Sequence, residues 1–353
     1  MKNTEIPKEI PIPQPPTRPI IGNLHLIEQK NVVASLMKLS KTYGGIFRMS
    51  MFKRQFLVAS SQEIVNELSD TMRFEKIVSG PLLEYRDFAG DGLFTAHSRE
   101  PNWGKAHRIL MPAFGPLGVR DMFDQMLEIA NQMFLRWERF GQETTIDVSD
   151  DMTRLTLDTI ALCGFGYRFN SFYQEDLHPF VTSMVGALEE GTNRVRRPDF
   201  VTPLMRKSNN AYQADIEFMR QIGQELIDKR REAPSTEGFT DLLSRMLAAI
   251  DPESGEKLDD ENMIYQMVTF LIAGHETTSA TLSFAIEFLL HNPDVLKKAR
   301  EDVDSVLGTE TPRFEHLQHL KYIEQILMET LRLWPPAPAF TVRAIEDTLL
   351  AGK

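Results

Sequence analysis

The stretch FLIAGHETTSATLSF, residues 270–284, begins and ends like the middle of a buried helix but carries polar residues at its centre. Gly274, His275, Glu276, Thr277 and Thr278 stand where a core helix would have apolar side chains. Glycine inside a helix costs up to about 1 kcal/mol relative to alanine, and a threonine hydroxyl can bond to a carbonyl one turn earlier. Together these residues predict a local opening of the helical hydrogen-bond ladder that leaves a carbonyl free for water or a ligand.

This stretch has two interpretations. In the first, it is a kink in the core with a solvated Glu276. In the second, Ala273 and Gly274 border a groove for a large flat ligand, and Glu276 and Thr277 handle protons beside it. A zinc-hydrolase helix is excluded, because that motif needs a second histidine four residues after the first, where this chain has Ser279.

The sequence around this stretch predicts a mainly α protein. The central helix is predicted to run from about Asp260 to about His291, where Asn292-Pro293 ends it. Strands are few: residues 46–60 predict a strand pair around a Lys-Arg turn, and residues 339–353 predict a hairpin. The sequence has no alternating βαβ pattern, which argues against a parallel sheet.

Composition limits the classes of function. The formal net charge of −11 argues against binding to nucleic acid or to anionic lipid. Cys163 is the single cysteine, which excludes an intramolecular disulfide and a multi-cysteine zinc site and is compatible with a reducing cytoplasm. The Pro-rich residues 1–14 contain no long apolar run, so neither a signal peptide nor a membrane anchor is expected.

Two further motifs carry charged side chains. ETLR places Glu329 and Arg332 at i and i+3 on a helix, and its apolar surroundings predict a partly buried ion pair that acts as a structural lock; an exposed surface bridge is the alternative. NWGKAHR is either a solvated amphipathic helix or a site for an anionic ligand. Its indole N–H and cations would come from Trp103, Lys105, His107 and Arg108.

In chain order, WGKAHR, AGHETT and ETLR resemble the haem-propionate helix, the oxygen-binding helix and the Glu-x-x-Arg helix of cytochrome P450 haem-thiolate monooxygenases. RDFAGDGLF, LCGFGYRFNSFY and LRLWPPAPAF narrow the resemblance to the self-sufficient bacterial fatty-acid hydroxylases, whose haem domain is fused to a flavin reductase. The resemblance implies the cytochrome P450 fold, helical with a small β-sheet region. It implies that residues 15–353 are the N-terminal portion of a single haem domain, preceded by the lead-in of residues 1–14.

The resemblance also implies a role for each matching residue. Glu276 and Thr277 match the acid–alcohol pair that delivers protons during oxygen activation, and Glu329 with Arg332 matches a structural ion pair. The positions that match cofactor contacts are Lys76, Leu93, Trp103, His107, Ala273 and Gly274. The positions that match the substrate channel are Arg54, Leu82, Tyr85, Ala89, Phe94, Ala337, Pro338 and Ala339. Among them, Arg54 matches a cation that holds a carboxylate, and Phe94 an aromatic ring that steers the substrate chain.

Two departures from the family pattern bear on function. The similar enzymes carry a tyrosine four residues after the channel-mouth arginine, where this chain has Val58, so the carboxylate clamp is incomplete. The cysteine thiolate of the family favours O–O cleavage and lies in a Phe-x-x-Gly-x-Arg-x-Cys-x-Gly loop downstream of the Glu-x-x-Arg helix. Cys163 does not match that loop and is predicted to be structural. The chain ends at Lys353 before such a loop, so it is expected to be truncated and inactive as it stands.

The implied cofactors are haem b in this chain and FAD and FMN on a reductase that is either fused or separate. The implied reaction is hydroxylation of a medium- or long-chain apolar substrate, with fatty acids foremost, by O2 and electrons from NADPH. The alternative, from another class, is a catalytically silent helical module that binds a hydrophobic ligand or a partner protein.

Overall fold

The computed structural model describes residues 11–28, 31–52, 54–197, 201–233 and 241–352. The chain divides into two compact units, one formed by the residues up to Ile77 together with those from Pro338, and the other by Val78–Ala337. Within the described residues there are twelve α-helices and four short strands, which confirms the prediction of a mainly α protein. Most of the predicted Pro-rich lead-in lies outside the described residues.

The first unit contains the predicted strand pair. Strand β1 (Ile46–Met51) pairs with β2 (Arg54–Ala59) in an antiparallel register, with Ile46 opposite Ala59. Helix α1 (Val32–Tyr43) precedes this pair, and α2 (Gln62–Leu68) follows it. The Ser61 hydroxyl accepts a bond from the main chain of α2, as expected of an N-cap.

The hairpin predicted for residues 339–353 is wrong. Strand β4 (Val342–Ala344) pairs instead with β3 (Phe74–Lys76), in an antiparallel register. The residues after β4 are held by side chains of the same unit, since Arg73 donates to the Thr348 hydroxyl at 3.1 and 2.9 Å. These bonds supply partners for polar groups of the segment after β4, so the segment does not need a second strand of its own.

The second unit is helical. Its helices in chain order are α3 (Pro81–Ala89), α4 (Pro101–Leu110), α5 (Pro116–Phe140), α6 (Val148–Phe165), α7 (Pro179–Arg196), α8 (Arg206–Glu232), α9 (Leu242–Ala248), α10 (Asp260–His291), α11 (Pro293–Leu307) and α12 (Lys321–Leu333). Five of them begin with proline, whose missing N–H costs nothing in the first helical turn.

Helix α10 has the bounds that the sequence predicts. The Asp259 carboxylate caps its start by accepting a bond from the Asn262 N–H at 2.7 Å, and Pro293 begins the next helix directly after Asn292. The largest core cluster joins α10 to α6, α8 and α9 through fully buried side chains such as Leu157, Ile227 and Leu243. Of the helices in the described part of the chain, none has the length and apolar content needed to cross a membrane.

Candidate functional site

The stretch 270–284 lies in an uninterrupted part of α10. The Thr277 hydroxyl donates to the Ala273 carbonyl oxygen at 2.8 Å, and the Thr281 hydroxyl donates to the Thr277 carbonyl oxygen at 2.8 Å. These are the hydroxyl bonds on which the predicted opening of the ladder depends, and the opening itself stays a prediction. Side-chain hydroxyls reach these carbonyl oxygens one turn back, and the helix continues through the segment.

Gly274 and His275 pack against α6. His275 is buried, with Nδ1 2.7 Å from the Leu271 carbonyl oxygen, and its own carbonyl oxygen accepts a bond from the Thr156 hydroxyl at 3.0 Å. A Cβ built on Gly274 would lie 3.0 Å from Cγ1 of Ile160, closer than ordinary van der Waals contact. Gly274 thus permits the close approach of two helices, a structural role in addition to the cofactor contact that the resemblance implies.

Ala273, Glu276 and Thr277 are exposed on another side of α10. Seven residues of an α-helix turn through about 700°, so positions seven apart differ by only about 20° around the axis. Ala273 therefore lies on the same side as Gln266. We call the surface formed by Ala273 and Thr277 the Ala273–Thr277 face.

Aromatic side chains stand at both ends of the Ala273–Thr277 face. Phe270 packs against Phe114 with ring centroids 5.5 Å apart, and Phe284 packs against Trp334 with centroids 5.3 Å apart. Phe270 and Phe284 are 14 positions apart, which corresponds to about 21 Å along a helix. Between them, the exposed side chains of Ala273 and Thr277 are small, as contact with a flat and largely apolar ligand requires.

Residues 90–96, the first part of the loop between α3 and α4, are bonded to α10 about two to three turns before this face. The Leu93 N–H donates to Gln266 Oε1 at 3.0 Å, and Gln266 Nε2 donates to Asn262 Oδ1 at 3.0 Å. The Asp91 carboxylate accepts bonds at 2.7 Å from both Asn262 and Asn102, the latter on α4. The structure thus brings Leu93 to the helix that carries Ala273 and Thr277, and it ties the start of α4 to the same helix.

Four of the implied substrate residues lie on α3 or in this loop. Tyr85 Oη is 2.8 Å from the Thr192 hydroxyl of α7, Leu82 is half-buried, and Phe94 is exposed. Ala89 is buried in the main core, so its side chain packs among neighbouring apolar groups. Their substrate roles stay predictions.

Trp103 and His107 lie one turn apart on α4 with their rings stacked, 5.1 Å between centroids and 15° between planes. Within the described ranges, the indole N–H of Trp103 has no hydrogen-bond acceptor. An indole N–H is a donor only, which suits an anionic ligand group such as a carboxylate.

Lys105 and Arg108 are not available for such a ligand. Lys105 pairs with Glu256 at 2.7 Å, and Arg108 donates to both oxygens of Asp251 at 2.6 and 2.8 Å. The Arg108 guanidinium holds the pKa of the Asp251 carboxyl below its ordinary value. These two cations on α4 therefore serve to bind the segment that follows α9.

The predicted Glu329–Arg332 pair forms, with two N–O distances of 2.7 Å. Arg332 lowers the pKa of the Glu329 carboxyl by hydrogen bonding and by its charge. The expectation of partial burial is wrong, because the two side chains are 66% and 55% exposed. In α12, Thr330 is the residue turned inward, and the ion pair stands on the solvent side.

The other implied site residues are exposed or belong to the first unit. Arg54 begins β2 and is exposed, and Lys76 ends β3 opposite Val342. The segment between α12 and β4 carries the remaining implied substrate residues, which are exposed: Ala337, Pro338 and Ala339.

Cys163 is buried, as the prediction of a structural role requires. It lies on α6, 3% exposed, with Sγ 3.8 Å from the Met122 carbonyl oxygen, and burial raises the pKa of its thiol to about 12. A thiolate ligand must be deprotonated and reach the metal, and the burial of Cys163 works against both. In the part of the chain that the structure describes, no group of three or more His, Cys, Asp or Glu side chains converges as a metal site.

The sequence profile described as Cytochrome P450 matches residues 12–353. The chain belongs to the cytochrome P450 family. It is 50% identical over 342 residues to the bifunctional cytochrome P450/NADPH–P450 reductase of Bacillus cereus, and 49% identical over 343 residues to the bifunctional cytochrome P450/NADPH–P450 reductase 1 of Bacillus subtilis. A bifunctional cytochrome P450/NADPH–P450 reductase of Fusarium oxysporum is 48% identical over 347 residues.

These matches cover 97%, 97% and 98% of this chain but 32% of each relative. This cytochrome P450 chain therefore spans about a third of the length of the curated relatives it matches.

The cofactor of cytochrome P450 proteins is haem, and the described residues fit one side of it. The Ala273–Thr277 face offers small side chains between two aromatic pairs, and the indole N–H of Trp103 suits an anionic propionate. The burial of Cys163 and the raised pKa of its thiol argue against Cys163 as the thiolate ligand of the iron.

Proposed function

We propose that this chain contributes to a haem-dependent monooxygenase that hydroxylates medium- or long-chain apolar substrates, foremost fatty acids, with O2 and electrons from NADPH. The observation that carries the proposal is the Ala273–Thr277 face, where an exposed hydroxyl and an exposed acid adjoin a small-residue surface on the central helix of a cytochrome P450 chain. We take residues 15–353 as part of one haem domain in the cytoplasm.

The electron source follows from the relatives. Their printed names combine a cytochrome P450 with an NADPH–P450 reductase, and such a reductase carries FAD and FMN. We propose that the same flavins serve this chain, from a domain of the same protein or from a separate one.

The residues of this chain have separate roles around the cofactor. When bound, haem supplies the oxygen activation and the one-electron chemistry. Trp103 and His107 would hold the propionates, and Ala273 would border the porphyrin. The Thr277 hydroxyl donates to the Ala273 carbonyl, so its oxygen lone pairs stay free to accept a bond from water. Glu276, exposed and adjacent in sequence, exchanges protons with solvent and passes them towards Thr277 Oγ1.

The substrate class rests on Arg54 in the first unit. Arg54 is an exposed cation that suits the carboxylate of a fatty acid. Val58 stands on the same strand four positions later, where a second polar group would complete the clamp. We therefore expect both dodecanol and dodecanoic acid to be hydroxylated, since the apolar chain provides most of the binding energy.

The test uses the protein as its gene encodes it, loaded with haem and supplied with NADPH, O2 and dodecanoic acid. Hydroxylated product is measured by mass spectrometry, together with NADPH oxidation and hydrogen peroxide. Thr277→Ala is expected to lower the product formed per NADPH by about tenfold or more and to release peroxide, because the proton relay is impaired. Thr277→Ser keeps the hydroxyl and is expected to stay near wild type.

Two results would overturn the proposal. Wild-type protein that binds dodecanoic acid but neither oxidises NADPH nor forms product would favour the silent binding module. Unchanged coupling in Thr277→Ala would remove Thr277 from the relay.

A further inference from the structure

A continuous series of hydrogen bonds joins the loop of residues 90–96 to α10. Gln266 and Asn262 are 0% and 1% exposed, and each uses its amide in both directions. Gln266 accepts from the Leu93 N–H and donates to Asn262, which in turn donates to Asp91. An apolar side chain at position 266 would leave the Leu93 N–H and the Asn262 amide oxygen without these partners.

Two glycines bring this loop into direct contact with α10. A Cβ on Gly90 would overlap the Tyr265 ring, and a Cβ on Gly92 would lie 2.6 Å from Thr269 Oγ1. The loop therefore lies flat on the helix between Tyr265 and Thr269. Hydrogen bonds then set its position along the helix axis, since the contacts with the two glycines are steric only.

Phe94 is carried by a fixed piece of backbone. Leu93, before it, donates to Gln266, and Thr95, after it, donates its hydroxyl to the carbonyl oxygens of Ala89 and Gly90 at 3.0 and 2.9 Å. Thr95 is fully buried, whereas the Phe94 side chain is 41% exposed. Because the Phe94 ring is partly exposed and its backbone is held on both sides, it is well placed to set the position of a ligand.

Gln266 also lies on the side of α10 that carries Ala273. The seven positions between them correspond to about 10 Å along the helix and to a difference of about 20° around it. The loop and the Ala273–Thr277 face thus share one surface of one helix, and any shift of the loop along α10 changes the distance between Phe94 and that face.

We propose that Gln266 and Asn262 are positioning residues for the substrate, which act through Leu93 and Phe94 to select the carbon of an apolar chain that is hydroxylated. This inference rests on the proposed function. Neither side chain touches the substrate in this arrangement, because both are buried beneath the loop.

The test compares Gln266→Met with Thr269→Val. Methionine is close to glutamine in length and removes both hydrogen bonds. Thr269 is the matched control, since it lies on α10 beneath the same loop and its hydroxyl has no hydrogen-bond partner among the described residues. Gln266→Glu serves as the rescue variant, because a neutral carboxyl group can accept from Leu93 and donate to Asn262.

Hydrogen–deuterium exchange of residues 90–96 is the first measurement and does not depend on enzymatic activity. Gln266→Met is expected to raise exchange by about tenfold, and Thr269→Val to leave it near wild type. In Gln266→Glu, protection is expected to stay closer to wild type than in Gln266→Met, because a carboxyl group in either protonation state accepts from the Leu93 N–H. Should Gln266→Met fail to fold, Asn102→Ala removes one bond to Asp91 and is expected to give a smaller change in the same direction.

The second measurement is the distribution of hydroxylation positions on dodecanoic acid. Gln266→Met is expected to change the ratio of the two main products by about threefold or more, and Thr269→Val to preserve it. A merely unstable variant would lower the total yield without changing that ratio.

Unchanged exchange in Gln266→Met overturns the inference, as does faster exchange with an unchanged product ratio. The absence of product from the wild-type protein instead overturns the proposed function, and the substrate role of Gln266 falls with it.

Discussion

Replacing Gly90 by alanine tests how tightly the loop of residues 90–96 lies on α10. Helix α3 is flanked by two glycines in nearly the same backbone conformation: Gly80 at φ 59° and ψ −135°, and Gly90 at φ 45° and ψ −125°. A Cβ on Gly80 would meet nothing within 4 Å, whereas one on Gly90 would overlap the Tyr265 ring. Gly80→Ala is therefore a matched control, in which backbone strain at positive φ destabilises the fold without any steric overlap.

The losses in free energy of unfolding should differ between the two variants by the cost of steric overlap with Tyr265. An L-residue in this backbone region costs of order 1–3 kcal/mol, which both variants incur. Forcing a methyl group into a filled site adds about 1–3 kcal/mol, which only Gly90→Ala incurs. We expect the free energy of unfolding to fall by about 1–3 kcal/mol in Gly80→Ala and by about 2–6 kcal/mol in Gly90→Ala.

Urea titration followed by circular dichroism measures both values. The cost of Gly90→Ala should also be smaller when Tyr265 is alanine, because the ring that blocks the new methyl group is gone. Equal losses in the two single variants, or a cost of Gly90→Ala that does not change in the Tyr265→Ala background, would show that the loop does not press on Tyr265.

Three further predictions concern Asp251 and Cys163. Arg108 lowers the pKa of the Asp251 carboxyl in the folded chain, so this pair stabilises the fold fully above the ordinary aspartate pKa of about 4, and the contribution is lost as the pH falls below it. Between pH of about 5 and about 3, the free energy of unfolding should therefore fall less steeply in Asp251→Asn than in wild type, and equal slopes would contradict this. Burial raises the pKa of the Cys163 thiol to about 12, so Cys163 should resist iodoacetamide in the folded chain and react in urea. The reduced carbon-monoxide spectrum of the 353-residue chain should lack a thiolate-type Soret band, and its presence would make Cys163 the iron ligand.

The features that could be predicted from the sequence depend on residues that are close together in the sequence. The ends of α10 follow from a capping aspartate and from Asn292-Pro293, and β1 with β2 follows from a short turn. The pairing of β4 with β3 was not predictable in this way. It joins residues such as Arg343 and Glu75, whose side chains meet at 2.7 Å across 268 positions. No local pattern in either segment indicates its partner.

Two other kinds of feature could not be predicted from the sequence: the burial of side chains, and hydrogen bonds in which the partner is a main-chain group. The spacing of Glu329 and Arg332 predicted their pairing correctly, but their exposure depends on which side of α12 packs against the unit. Gln266 and Asn262 were missed because the group that Gln266 binds is a main-chain N–H, which every residue except proline carries. A glutamine within the apolar run of α10 was the available signal.

The central residues of FLIAGHETTSATLSF belong to two groups, and replacing a residue has different consequences in each. Gly274 and His275 adjoin α6, so replacing either acts first on the packing of two helices. Ala273 and Thr277 stand on the exposed side, where a replacement leaves that packing in place and alters the surface offered to a ligand. Loss of function in a Gly274 variant therefore says little about the cofactor until its stability is known, whereas loss of coupling in a stable Thr277 variant reports directly on the chemistry.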